Sequence, residues 1–145
     1  MQVVEKNVLV AHTPAQMYAL VDEVEHYPRF LPWCAKAEVH SADDGEQVAS
    51  LHIDYLKIRQ HFTTKNQRVD GQSILMELVD GPFRHLQGLW RFTPLGEIGC
   101  KVEFRLQYEF SSAILEKVIG PVFSHISRTL VDAFIKRADE VYGDD

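Results

Sequence analysis

Acid–base, nucleophilic and metal chemistry all have candidate side chains in this sequence, but their spacing serves none of them. Seven histidines are present: His12, His26, His40, His52, His61, His85 and His125. A zinc-type centre needs His and Cys held together by short spacings such as H-x-x-x-H or H-E-x-x-H, and neither occurs. His52 falls on a predicted wet face with Asp54, and His61 with Arg59 and Lys65. The two cysteines, Cys34 and Cys100, are far apart and form no C-x-x-C pair. They read as reduced core side chains of a cytosolic chain. A nucleophilic serine is best exposed on a sharp G-x-S-x-G turn, and none is present. A triad built from distant positions is not readable from spacing. Nor does a glycine-rich loop offer donors to a phosphate, since Gly81 and Gly88 are separated and sit among strand residues. The spacing offers no catalytic nucleophile, no metal centre and no catalytic cofactor loop, which on the residues alone leaves an enzyme open.

Binding chemistry is better represented. Tyr55, Phe62, Met76, Leu78, Trp90, Phe92, Phe104 and Tyr108 share the inward parity of successive predicted strands, and Phe123 adds to them from a C-terminal helix. Rings of this size line cavities as readily as they fill cores. Burial of a lipid tail there would contribute ~25 cal/mol per Å². Tyr55, Tyr108 or Trp90 could orient a polar head through a hydroxyl or an indole donor. A second constellation is cationic. Between Tyr55 and Val69 there is no acidic residue, while Lys57, Arg59, His61 and Lys65 take the outward parity. His85, Arg91, Lys101 and Arg105 take it on later strands. If those strands are neighbours, the convex face is basic. It is then either a solvated surface paired with Glu103 and Glu109, or a docking face for RNA phosphates or lipid headgroups.

The elements that must position these residues follow from periodicity and turn chemistry. Val3–Ala11 reads as a strand. Thr13-Pro14-Ala15-Gln16 starts a helix, with Thr13 as cap, Pro14 at the first position and Gln16 closing a capping box. Met17, Leu20, Val21 and Val24 give it an inward face. In Tyr27–Trp33, Pro28 is expected to open a second short helix and Pro32 to end it. Strands then follow at Ala35–His40, Leu51–Tyr55, Ile58–Val69, Ile74–Leu78, Leu86–Phe92 and Cys100–Phe110, separated by Asp43-Asp44-Gly45, Asp70-Gly71, Asp80-Gly81-Pro82 and the turn around Gly96 and Gly99. The last runs into one amphipathic helix, Ser112–Tyr142, roughly 45 Å long at ~1.5 Å per residue. Its inward stripe is Leu115, Val118, Ile119, Val122, Ile126, Leu130, Phe134, Ala138 and Val141. Gly120-Pro121 predicts a kink or break within it, either to follow a curved sheet or to act as a gate hinge. The class is α+β, of order β-α-α-β6-α, with a curved antiparallel sheet around the C-terminal helix.

The totals agree. The 145 residues suit one domain, 1–145, burying ~68–70% of its extended-chain surface. No apolar run reaches the ~20 residues of a membrane span. An N-terminus that already reads as strand predicts a cytoplasmic protein, peripheral at most to the inner membrane. The net charge of −6 argues against a general nucleic-acid binder. Its acids gather in Asp22, Glu23 and Glu25 and in Asp132, Asp139, Glu140, Asp144 and Asp145.

The stretch Met17-Tyr-Ala-Leu-Val-Asp-Glu-Val-Glu-His-Tyr-Pro-Arg-Phe-Leu-Pro-Trp-Cys34 resembles the hallmark of the coenzyme-Q-binding START-like family, which also includes bacterial ribosome-association toxins. Phe62-Thr63-Thr64, Leu78–Phe83 and Gly88-Leu89-Trp90-Arg91-Phe92 are similar to its later motifs, in order, from about Val3 to Tyr142. The resemblance implies a helix-grip (START/Bet v 1-like) fold and a non-enzymatic role. The implied ligand is ubiquinone or a similar polyprenyl lipid, supporting respiration and quinone biosynthesis. Trp90 is then the first quinone contact to expect, and Phe30, Leu31 and Trp33 form a mouth that meets a membrane surface. The toxin branch implies instead binding to the large ribosomal subunit and inhibition of subunit association, for which Lys57, Arg59, Lys65 and Arg91 are the basic-face candidates. Mitochondrial members carry a presequence, so a bacterial protein is expected. Tyr55-Leu56-Lys57 lacks the glycine expected at that turn.

Overall fold

The computed structural model describes residues 1–143, so Asp144 and Asp145 lie outside the described residues. Seven strands form one antiparallel sheet: β1 (Gln2–Val10), β2 (Cys34–Ala42), β3 (Glu46–Tyr55), β4 (Ile58–Val69), β5 (Ser73–Asp80), β6 (Phe83–Leu95) and β7 (Gly99–Phe110). Their order is β1-β7-β6-β5-β4-β3-β2, so consecutive hairpins build the sheet and β1 closes on β7. The period-two pattern is kept where it was expected. Val102, Phe104, Leu106, Tyr108 and Phe110 are all buried, and Trp90 pairs directly with Phe104 across β6 and β7.

Helix α1 (Pro14–Asp22) begins as its sequence dictates. The Gln16 N–H donates to the Thr13 hydroxyl at 3.2 Å, and the Thr13 N–H donates to Gln16 Oε1 at 2.9 Å, so two otherwise orphaned donors are met. The next turn is a 3-10 helix, Val24–Arg29. It starts ahead of Pro28 and contains it, so Pro28 does not open the helix. At the end of α1, Arg68 of β4 donates to Asp22 at 2.9 Å and also to the carbonyls of Asp43 and Glu46, which ties the helix to the β2–β3 turn.

Helix α2 (Ala113–Tyr142), capped by Ser112, runs unbroken for 30 residues through Pro121. Of the expected kink or break, the break does not occur. Pro121 and Lys117 are both exposed, so the carbonyl that loses its partner faces water. The helix rests on β7, β1 and α1. Its far half is pinned there by Lys6–Asp132 at 2.8 Å, His12–Asp139 at 2.7 Å and the Tyr142 hydroxyl donating to the Gln16 carbonyl at 3.0 Å. The buried stripe is rotated slightly from the expected one. Phe123, Ser127 and Val131 are inside, whereas Val118 and Val141 are 54% and 48% exposed.

The basic face is also different from expectation. β5 lies between β4 and β6, and its outward residues are Ser73, Leu75, Glu77 and Val79. The cations are therefore split into two groups rather than joined in one field. Arg59 pairs with Asp54 at 3.5 Å, Lys65 with Glu46 at 3.3 Å and Arg105 with Glu5 at 3.0 Å. Arg91 is exposed beside Glu103 in register, and Lys57 stands at the β3–β4 turn. That turn spans only Leu56 and Lys57, because Tyr55 pairs with Ile58. Both turn residues have positive φ, 49° and 70°, as a two-residue I′ hairpin demands even without glycine.

Candidate functional site

Two aromatic clusters form on the concave side of the sheet. In one, Trp90 lies 4.6 Å from Phe104 and 5.3 Å from Phe134 between ring centroids, and Tyr27 and Phe30 close on Phe134. In the other, Phe123 lies 4.8 Å from Tyr108 and 5.0 Å from Phe83, with Phe62 at 6.1 Å. The first arises where β6 and β7 place rings opposite α2. The second joins Phe123 of α2 to rings from β4, β6 and β7.

Between them is a cavity of about 80 Å³ with a mostly apolar lining. Six of the expected residues line it: Trp33, Phe62, Met76, Trp90, Phe104 and Phe123. The other six do not. Leu31 is 1% exposed and Phe92 is 3% exposed, stacked on Trp90 and edge-on to Tyr18, so both are core. Tyr108 packs on Phe123, and its phenol is raised above its usual pKa by burial. Leu78 is half-buried on the same side of β5, and Tyr55 stacks on His125 of α2 at 6.0 Å. Phe30 is half-buried on Phe134, with the Arg137 guanidinium 5.3 Å above its ring. The expected mouth at Phe30, Leu31 and Trp33 is therefore shut, because Leu31 and Trp33 are both buried. The half-buried lining residues Leu51, Phe62, Met76 and Leu130 mark the accessible side instead.

Sequence periodicity missed the polar part of the lining. Thr64, Asn66 and Ser127 are buried there. The Thr64 hydroxyl donates to Asn66 Oδ1 at 2.8 Å, Asn66 Nδ2 donates to Gln47 Oε1 at 3.0 Å, and Gln47 Nε2 donates to the Asp22 carbonyl at 3.3 Å. Thr64 and Asn66, at even positions on β4, share the parity of Phe62, and that shared parity is the available signal. Gly88 also lines the cavity: a Cβ there would fall 2.5 Å from Met76 Cε and 3.3 Å from Leu106 Cδ1. The Met76 side chain thus lies across the glycine and occupies space that would otherwise be cavity.

Burial pushes the nearby Cys34 thiol up to about 11, which keeps it protonated at neutral pH. Among the described residues no group of three or more His, Cys, Asp or Glu side chains could hold a metal ion.

Comparison with known proteins agrees with this architecture. The model of the family "Polyketide cyclase / dehydrase and lipid transport" matches residues 10–135. The "Ribosome association toxin RatA" of Vibrio cholerae is 44% identical over 99% of this chain and 100% of its own length. A "Coenzyme Q-binding protein COQ10 homolog B, mitochondrial" from Xenopus laevis is 29% identical over 88% of this chain and 54% of its own. Among solved structures, the Zhui aromatase/cyclase from Streptomyces superposes with a TM-score of 0.83, covering 95% of this chain and 93% of its own. At 19% identity that likeness establishes the fold and not an activity. By its sheet, its gripped helix and its full-length relatives, the chain belongs to the polyketide cyclase/dehydrase and lipid transport family and has the START-like helix-grip fold.

Proposed function

We propose that this protein holds a polyprenyl quinone or a similar apolar lipid inside the grip without catalysing a reaction on it. The observation that carries the reading is the cavity itself, ringed by Trp33, Phe62, Trp90, Phe104 and Phe123 between the sheet and α2. Its 80 Å³ is below the ~300–1,000 Å³ of a typical ligand pocket, so entry of a lipid requires it to widen. Two features support widening. Met76 is an unbranched, adaptable side chain lying across Gly88, and α2 packs its backbone most closely on β7, β1 and α1, meeting β3 and β4 through the ring pairs Tyr55–His125 and Phe62–Phe123. Brief contact with a membrane for exchange falls to Ile114 and Val118, exposed on the first turns of α2. Organic extraction of gently purified protein, followed by mass spectrometry, should recover a stoichiometric quinone or related lipid. Leu130→Glu, which puts a charge on the half-buried rim, should abolish its retention. Trp90 is a poorer probe, because at 2% exposure its truncation to Ala would cost ~3–5 kcal/mol of stability. Lipid-free protein that also refuses added quinone would end this reading.

A second reading is favoured by the 44% identity to a protein named for ribosome association. Here the partner is the large ribosomal subunit, and the contact is the outer side of β3 and β4. Lys36, His52, Arg59 and His61 line a surface groove there, with Lys57 at its turn and Lys65 further along the strand. Lys57→Glu, Arg59→Glu and Lys65→Glu together should abolish co-sedimentation with ribosomes and leave lipid content unchanged. Undiminished co-sedimentation would remove this face from consideration.

A further inference from the structure

The polar residues inside the grip impose a direction on hydrogen bonding, and the inference drawn from it rests on the lipid-binding reading of the cavity. A backbone carbonyl can only accept. Because Gln47 reaches the Asp22 carbonyl at 3.3 Å, it must present its NH₂ there and turn its Oε1 towards Asn66. Asn66 must then offer its NH₂ to Gln47, at 3.0 Å, and its Oδ1 to Thr64. That commits the Thr64 hydroxyl proton to Asn66 at 2.8 Å. Flipping any one amide would set oxygen against oxygen or NH₂ against NH₂ somewhere along the chain. Gln47, Asn66 and Thr64 are 5%, 4% and 7% exposed, so water does not stand in for a lost partner at little cost. Across the cavity, Ser127 has likewise spent its proton on the Ser124 carbonyl at 3.1 Å. Ser127 also lies within hydrogen-bond reach of the Tyr108 phenol, so its oxygen is not free. Thr64 therefore presents lone pairs to whatever enters, and Asn66 retains one unused N–H.

We infer that the cavity prefers a lipid whose head group carries a hydroxyl donor, a hydroquinone or phenol, over the fully oxidised quinone on the same tail. A quinone carbonyl can accept from Asn66, but so can a quinol oxygen, and that contact does not discriminate. At Thr64 a quinone carbonyl meets another acceptor, whereas a quinol hydroxyl donates. One such bond in a dry site corresponds to roughly a 3- to 10-fold difference in affinity.

The test is isothermal titration of the whole protein under argon with a short-tailed ubiquinone analogue and with its chemically reduced quinol. The quinol should bind several-fold more tightly. Thr64→Val should erase that preference while retaining quinone binding, and Thr64→Ser, which keeps the hydroxyl, should preserve it. Equal affinity for the two forms, or tighter quinone binding, overturns the inference while leaving lipid binding intact. A preference that survives Thr64→Val overturns the role of Thr64. If neither form binds the wild-type protein, the lipid reading beneath it falls as well. Should Thr64→Val fail to fold, the wild-type and Thr64→Ser titrations decide the matter.

Discussion

At the scale of single residues, the cavity depends on what is absent at position 88 and what lies across it. Gly88 in the middle of β6 lacks the side chain that would collide with Met76 Cε at 2.5 Å and Leu106 Cδ1 at 3.3 Å. Glycine inside a strand forgoes packing and ordering advantages, so its presence here marks a close approach. Gly88→Ala should lower stability by ~1–3 kcal/mol through overpacking, as measured by urea unfolding. Because the clash is with the flexible end of Met76, adding Met76→Ala should recover part of that loss. No recovery in the double variant would mean that Leu106, not Met76, sets the limit. Periodicity makes Met76 legible as an inward residue, but the space above Gly88 depends on two strands paired at Met76 and Gly88.

At the scale of elements, the β3–β4 hairpin is the clearest case of pattern and geometry in tension. Strict alternation identifies both strands, and the chain has only Leu56 and Lys57 with which to turn between them. Both adopt left-handed backbone conformations, with φ of 49° and 70°, which cost an L-residue with a Cβ ~1–2 kcal/mol each. Leu56 is also 70% exposed, so its side chain recovers little of that cost by burial. Replacing the pair with Asn-Gly should raise unfolding free energy by about 1 kcal/mol, the relief of strain being partly offset by glycine's greater entropy loss. An unchanged denaturation midpoint would show that the strain is already relieved in the native turn. Helix α1, in contrast, was legible in full, since its capping box uses only residues within a few positions of each other. The continuity of α2 through Pro121 was not, because whether a proline bends, breaks or is tolerated depends on what packs on either side.

At the scale of the whole molecule, stability against acid gathers in the hairpin of β2 and β3. The Gly45 and Glu46 N–H groups donate to Asp43 at 2.9 and 2.7 Å and hold its carboxyl below the usual range, while the His52 ring beside Glu38 at 2.8 Å does the same there. A carboxyl depressed in the folded state contributes its full stability above the ordinary value, ~4, and loses it as pH falls through the lower folded value. Circular dichroism should therefore show stability declining in that acid window, and Asp43→Asn should flatten the decline; an unaltered acid limb would assign it elsewhere. The largest features were determined by sequence alone: the α+β class, the run of antiparallel strands and the long helix follow from periods of two and 3.6 and from turn residues, all of which act locally. The inward parity of Phe62, Trp90 and Phe104 was legible for the same reason. Tertiary structure alone decided which inward rings line the cavity and which fill the core, because that depends on where α2 rests across the sheet. It also brought β1 onto β7, a pairing between the two ends of the chain, whereas the place of β5 between β4 and β6, which separates the cations, follows from consecutive hairpins. The directional chain from Asp22 through Gln47 and Asn66 to Thr64 belongs to the same class: its members come from a helix end and two strands, and only folding brings their donors and acceptors into line.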